Sequence, residues 1–279
     1  MKKFLAVFDG YKFSKSTMNY AIQLTQLSEA HLVGVFLDDF IYHTYSYRKV
    51  FDESETPDRL IGKLDEADKK KRDEAVAVFQ KACGKAKINF SVHRDERIAI
   101  QELKHESLFA DLIIINKGET FTRFKEKKPT RFIKNLLSDM QCPVLVVSGS
   151  FISIDKIILL YDGRPSSLYA LKMFSYLLSS LKTLPVEIFT VKDAYLDNLR
   201  LPDNKLMREY IKRHFPHAKI TVIKGNPEEE VAGHLRNHRE NELVVLGAYR
   251  RSELSRLFKT SMADVLMKEL DTPLFIAHS

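Results

Sequence analysis

The chain has 279 residues, 44% hydrophobic and 29% charged, a balance that excludes a disordered polyampholyte and is enough for two buried cores. No run of about 18 apolar residues occurs, which excludes a membrane-spanning helix. The net charge of +7 is spread evenly, with 25 Lys and Arg against 21 Asp and Glu in residues 1–150 and 19 against 16 in residues 151–279. A nucleic-acid partner calls for a concentrated basic stripe, and none is present.

In chain order, Met1-Lys2-Lys3 followed by Phe4–Phe8 is basic and then apolar, as a signal peptide would be. The apolar stretch ends at Asp9-Gly10, short of an h-region of about 7–15 residues, so it is expected to be the first buried strand of a cytoplasmic protein. Further strands are expected at His31–Leu37, Ile88–Val92, Leu112–Ile115 and Val144–Val147. Between the second and third lies residues 38–60, with Tyr42, His43, Tyr45, Tyr47 and Phe51 beside Arg48 and Lys49. A long connection packing its aromatics on a neighbour is favoured there over a lid, a ligand wall or a partner surface. Asp65–Arg72 reads as the solvated face of a long helix.

Beyond residue 150 the strands are expected at Lys156–Tyr161, Val186–Val191, Lys219–Ile223, Leu243–Leu246 and Leu274–Ala277. Helices fit Ser166–Ser180, Asp203–His214, Glu228–Asn237 (preceded by Pro227, which a first turn tolerates) and Met262–Leu270. Cys83 and Cys142 lack CxxC spacing, which argues against a disulfide framework and a zinc site. His214 with His217 and His234 with His238 have chelating spacings, but Pro216 breaks the helix of the first pair and neither pair is expected to have a carboxylate or cysteine constellation beside it.

Three segments recur in the same order. Lys3–Gly10 matches Lys156–Gly163, each an apolar run ending in Asp-Gly; Asp111–Asn116 matches Glu242–Gly247; Cys142–Val147 matches Thr272–Ala277. Asp9 to Asp162 is 153 residues and Cys142 to Thr272 is 130, so the first copy is 23 residues longer, mostly between its second and third strands. The boundaries expected are 1–150 and 151–279. Continuous apolar strands separated by helices imply parallel sheets covered on both faces, linked by right-handed crossovers. The fold class is therefore α/β, with two tandem doubly wound five-stranded parallel-sheet domains. Ligands of such sheets sit outside the carboxyl ends of the strands, where Asp9, Asp162 and Gly247 fall.

On these residues the chain resembles the universal stress protein family in its tandem-domain form, over nearly its whole length. The most specific stretch runs from Leu243 to Ser261, followed by Thr272-Pro273. Nucleotide-binding members carry Gly, two residues, Gly, nine residues, then Gly-Ser or Gly-Thr. Here Gly247 is kept, Arg250 takes the second glycine's place, and Thr260-Ser261 closes the motif at the right spacing. The resemblance implies Rossmann-like, adenine nucleotide alpha hydrolase-like domains whose last strands pair, forming an internal pseudo-dimer. It implies that Asp162 and Gly163 face the adenine side, that Val191 contacts the base, and that Gly225 marks the third-strand exit. Gly247 and Ser261 would meet ribose and phosphates. Glycines admit close backbone N–H groups, and a helix N-terminus attracts anions. Arg250 either fills the triphosphate space or clamps phosphate with its guanidinium. Thr260 offers a hydroxyl but its Cβ forbids the closest approach. The first copy departs further, with Asn116-Lys117-Gly118-Glu119 in place of the glycine pair, Pro129-Thr130-Arg131 at the phosphate turn, and Asp95 where the second copy has Gly225.

The function expected is a stress-response protein holding an adenine nucleotide such as ATP, or another small anionic ligand, in the second domain, with weak ATP hydrolysis at most. Mg²⁺ would come only with a bound nucleotide. A degenerate tandem scaffold, or a lipid- or metabolite-binding module that has lost ATP, is the alternative. Protein partners and a further homodimer are left open.

Overall fold

The computed structural model describes residues 1–37, 57–95, 98–122, 125–195, 198–237, 241–247 and 261–277. The aromatic stretch 38–56 lies outside them. The first copy runs β1 (Lys3–Asp9), α1 (Lys15–Ser28), β2 (His31–Leu37), α2 (Pro57–Ala86), β3 (Phe90–Asp95), α3 (Ala99–Ser107), β4 (Leu112–Asn116), α4 (Arg131–Asp139) and β5 (Val144–Val147). The second runs β6 (Lys156–Leu160), α5 (Pro165–Leu177), a 3₁₀ turn (Ser179–Thr183), β7 (Val186–Lys192), α6 (Asn204–His214), β8 (Lys219–Lys224), α7 (Pro227–Asn237), β9 (Glu242–Gly247), α8 (Met262–Glu269) and β10 (Leu274–Ala277). All ten expected strands form, β3 two residues later than its pattern placed it.

Among the described residues the strands make one sheet in the order β3-β2-β1-β4-β5-β10-β9-β6-β7-β8. Each copy is parallel, with its switch point between its first and fourth strands, β1 and β4 or β6 and β9. The strands are apolar throughout because both faces are covered. Phe4, Ala6 and Phe8 point into one core with Tyr20, Phe79, Phe174 and Ile211, while Leu5 and Val7 point into the other with Leu103, Ile133, Val231 and Leu266. Alternation by residue thus becomes alternation between two cores. Both cores run unbroken from one copy into the other. No helix among the described residues is long and apolar enough to cross a membrane.

The copies meet through β5 and β10, which pair antiparallel with Leu274 opposite Val146, Phe275 opposite Leu145 and Ile276 opposite Val144. Each would otherwise be an open edge, with a row of unpaired N–H and C=O groups. Burying side chains of this size contributes about 1.5–3 kcal/mol each. Polar contacts add to the seam on both faces. Lys2 Nζ donates to Leu177 O at 2.8 Å, Ser180 Oγ donates to Leu27 O, and Ile152 N donates to Tyr20 Oη at 3.3 Å. On the other face the buried Lys117, just after β4, donates to Leu270 O at 2.6 Å and Met267 O at 3.2 Å, and pairs with Asp271 at 2.7 Å. A first-copy cation thereby caps the carboxyl end of second-copy α8, where helix carbonyls lack partners and the dipole is negative.

A second buried charge cluster sits at the amino ends of the second copy's strands. Lys156 lies 3.0 Å from Glu187 and 3.6 Å from Glu242, and Thr221 Oγ1 donates to Glu187 at 2.5 Å. Burial alone would raise the Glu187 pKa, but the Thr221 and Lys156 hydrogen bonds and the Lys156 and His234 charges hold it at about 2. Cys83 and Cys142 are both buried and free, as their spacing led us to expect, and burial pushes each thiol up to about 12.

Lys117→Met keeps the stem and removes the capping cation. It is expected to lower stability by roughly 2 kcal/mol, the contribution of hydrogen bonds from a charged donor. Urea unfolding followed by circular dichroism checks this; an unchanged midpoint would show that the seam does not depend on Lys117.

Candidate functional site

The parallel register carries the ends of β6, β7, β8 and β9 to one edge of the sheet. Val191 pairs with Ile223, Leu159 with Val245, and Gly247 with Ala277. Asp162 and Gly163 leave β6, Gly225 leaves β8, and Gly247 ends β9, so these residues and Val191 share the carboxyl edge. Ser261 is the N-cap of α8. Arg250 and Thr260 lie outside the described residues.

Local chemistry explains several of these positions. Asp162 Oδ1 accepts from Arg164 N at 2.9 Å, closing an Asx turn that Asp9 repeats with Tyr11 N at 2.8 Å. Gly163 has φ +82°, and a Cβ there would lie 2.6 Å from Pro202 Cβ. Gly225, at φ +150°, donates its N–H to Lys192 O at 3.0 Å. Gly247 has a packing reason of its own. A Cβ on it would strike the backbone of Ser166 and come 2.5 Å from Ser167 N, in the first turn of α5. That helix begins three residues after Asp162, whereas α1 begins six after Asp9. Pro165 takes its N1 position, and no side chain caps it.

The end of α8 beside this edge is already occupied. Ser261 Oγ accepts from Asp264 N at 3.1 Å, and Asp264 Oδ2 accepts from Ser261 N at 3.2 Å, a complete capping box. Asp264 was legible in Ser261-Met262-Ala263-Asp264, which has the spacing of that motif, but the nucleotide reading of Ser261 passed over it.

The first copy's edge is closed. Lys117, Glu119, Thr120 and Phe121 are all buried, and Phe121 takes φ 48° to set its ring 4.5 Å from that of Phe132. Thr130 Oγ1 donates to Glu119 O at 2.5 Å, and Lys12 Nζ donates to Thr122 O at 2.5 Å. Asn116 spans the switch point, giving Nδ2 to Ser148 O at 2.9 Å and to Ser14 Oγ at 3.5 Å. Arg72 of α2 presses its stem 2.8 Å from where a Gly10 Cβ would stand, and its guanidinium lies 5.5 Å from the Tyr11 ring centroid. The rest of the described charge run faces solvent as expected, and Arg72 is its exception. The result is a contrast between equivalent carboxylates, since the Asp162 side chain is 53% exposed while Asp9 is 0% exposed.

No protein-family model and no curated protein sequence matches the chain. Solved structures do match it. A universal stress protein from Archaeoglobus fulgidus DSM 4304 has a TM-score of 0.71 at 14% identity, covering 99% of this chain and 98% of its own. A functionally unknown protein from Pseudomonas aeruginosa PAO1 has a TM-score of 0.64 at 10% identity, covering 99% and 92%. The chain has the tandem universal stress protein fold.

Of the histidines with chelating spacings, His214 and His234 stack on aromatic rings, and His238 lies outside the described residues. His214 stacks on Tyr210 with ring centroids 4.3 Å apart. His234 stacks on Phe189 at 4.0 Å and lies 3.4 Å from Glu187, a carboxylate distant in sequence that α7 and β7 bring together. Sequence reasoning also missed Glu119 as a plug residue, because nothing in Asn116–Glu119 says that its carboxyl turns inward.

Burial, together with the charge of Asp9 and against that of Lys12, raises the Glu119 pKa to about 8. The folded protein therefore holds a proton that the unfolded chain releases near 4.5. This contribution to stability is full below that value and is lost as pH rises through about 8. Denaturant midpoints should fall between pH 5 and 8 and flatten in Glu119→Gln; an identical slope in the variant would remove Glu119 as the source. Gly247→Ala should cost about 1–3 kcal/mol through overpacking against α5, read from thermal unfolding. An unaffected melting temperature would show that the two backbones separate freely.

Proposed function

We propose that the second copy, residues 151–279, holds an adenine nucleotide or another small anionic ligand at its carboxyl edge, in a stress-response role without strong catalysis. The first copy, residues 1–150, serves as its structural partner. The observation that carries this reading is the contrast between Asp162 and Asp9. One edge presents its strand-end carboxylate to solvent beside Gly163, Val191, Gly225 and Gly247, while the other is filled by its own loop. The likeness in fold supports the architecture; the ligand is argued from the edge itself. Arg250, Thr260 and Ser261 are the residues that would meet the ribose and phosphates, and Mg²⁺ would enter only with a nucleotide.

Native mass spectrometry of the purified protein, followed by calorimetric titration with adenine compounds, tests the reading. Bound adenine compound, with affinity reduced about tenfold (about 1.4 kcal/mol) in Asp162→Ala, is expected. Asp9→Ala should lower stability and leave affinity alone. Binding lost equally in both variants would place the ligand elsewhere, and phosphate release well above background would overturn the non-catalytic part.

A further inference from the structure

Counted along the chain the positive charge is even, but the fold sorts it in space. The helices divide between two cores. α1, α2, α5 and α6 cover one face of the sheet, through residues such as Tyr20, Phe79, Phe174 and Ile211, while α3, α4, α7 and α8 cover the other, through Leu103, Ile133, Val231 and Leu266. In the second copy these two faces carry opposite charge. α5, the 3₁₀ turn and α6 hold six cations, Lys172, Lys182, Lys205, Arg208, Lys212 and Arg213, against one acid, Glu209. α7 and α8 hold two cations, Arg236 and Lys268, against five acids. The basic face continues across the seam, where Ser180 Oγ of the turn donates to Leu27 O of α1, a helix with Lys15 and no acid.

Little of this positive charge is neutralised within the chain. Arg208 Nε donates to the neutral Asn204 Oδ1 at 3.0 Å, and Arg213 lies 3.8 Å from Glu209. Among the described residues the four lysines have no acidic partner. Burial, followed by the charges of Lys182, Lys172 and Arg213, lowers the His214 pKa, so cations of three separate elements converge on one ring. Two large apolar side chains stand exposed among them. Leu206, 68% exposed, follows Lys205 on α6, and Tyr176, 53% exposed, lies one helical turn after Lys172 on α5.

Those features select one kind of partner. Lysine is a hydrated point charge that attracts anions without a fixed geometry, whereas the arginine fork favours a carboxylate or phosphate held in place. A layer of helices dominated by unpaired lysines therefore suits mobile negative headgroups spread over a plane. Leucine adds nothing to a phosphate contact, but leucine and tyrosine both gain from burial at a bilayer interface. We propose that the α5–α6 face docks this protein peripherally on an anionic lipid surface, with its lysines over the headgroups and Leu206 and Tyr176 at the level of the interface. The docking is independent of any ligand at the carboxyl edge.

Cosedimentation of the full chain with vesicles tests this, using phosphatidylcholine alone and an equal mixture of phosphatidylcholine and phosphatidylglycerol, each at low and high salt. Binding to the mixture at low salt and its loss at high salt are expected, because salt screens exposed charges, and no binding is expected to phosphatidylcholine alone. Lys205→Gln with Lys212→Gln should lower affinity for the mixture about 30-fold, at about fivefold per surface cation. Lys134→Gln with Lys268→Gln removes the same charge from exposed positions on the opposite face and should leave that affinity unchanged. Absence of wild-type binding to the mixture, equal binding to both vesicles, or equal loss in the two double variants overturns the proposal. So does tighter binding to duplex DNA or to polyglutamate than to the mixture, which would make the partner a nucleic acid or an acidic protein. None of these outcomes touches the reading of the crevice.

Discussion

A strand at the edge of a sheet leaves a row of backbone donors and acceptors without partners, and each five-stranded copy of this chain ends in such a strand. β5 and β10 satisfy each other, three residue pairs in antiparallel register, and the two sheets become one. Everything else about the relation between the copies follows from that pairing. It makes both hydrophobic cores continuous and turns the switch-point crevices into features of a single body. It also brings the loop after β4 against the carboxyl end of α8, where Lys117 finds two carbonyls and Asp271.

The seam is nearly symmetric in backbone and unequal in side chains. Lys117 lies just after β4, and in the folded chain it holds the neighbouring copy. The residues after it turn inward and fill the crevice they border: Glu119 under Thr130, Phe121 on Phe132, Thr122 on Lys12. A buried, protonated carboxyl costs less than a buried charged one, which is why Glu119 can stand near Asp9 in the interior. In the second copy the equivalent carboxylate, Asp162, has a side chain 53% exposed. The two copies share one fold, and packing has filled the crevice of the first.

At the carboxyl edge of the second copy the glycines divide by cause. Gly163 and Gly225 have positive φ, while Gly247 is small because α5 starts a turn earlier than α1 and its backbone runs against the end of β9. A glycine in a ligand motif thus has a packing reason that stands without any ligand. The capping box at Ser261 carries the same lesson, since a serine read as a phosphate contact is first of all the N-cap of a short helix.

Hydrophobic period and turn chemistry are local, and they were legible from the residues alone. The ten strands, the Asp-Gly strand ends, Pro227 opening α7 and the duplicated order of segments needed no tertiary information. The even charge and the two separated cysteines were equally plain. Other features depend on residues far apart in the chain, and only the folded structure decided them. The approach of Glu187 to His234, the filling of one crevice by Lys117–Thr122, the contact of Arg72 with Gly10 and the use of Lys117 across the seam are all of this kind. A side chain's direction and its desolvation are set by what packs against it. For that physical reason the sequence by itself determined two copies of one fold, and the tertiary structure decided which copy keeps its strand-end carboxylate open to solvent.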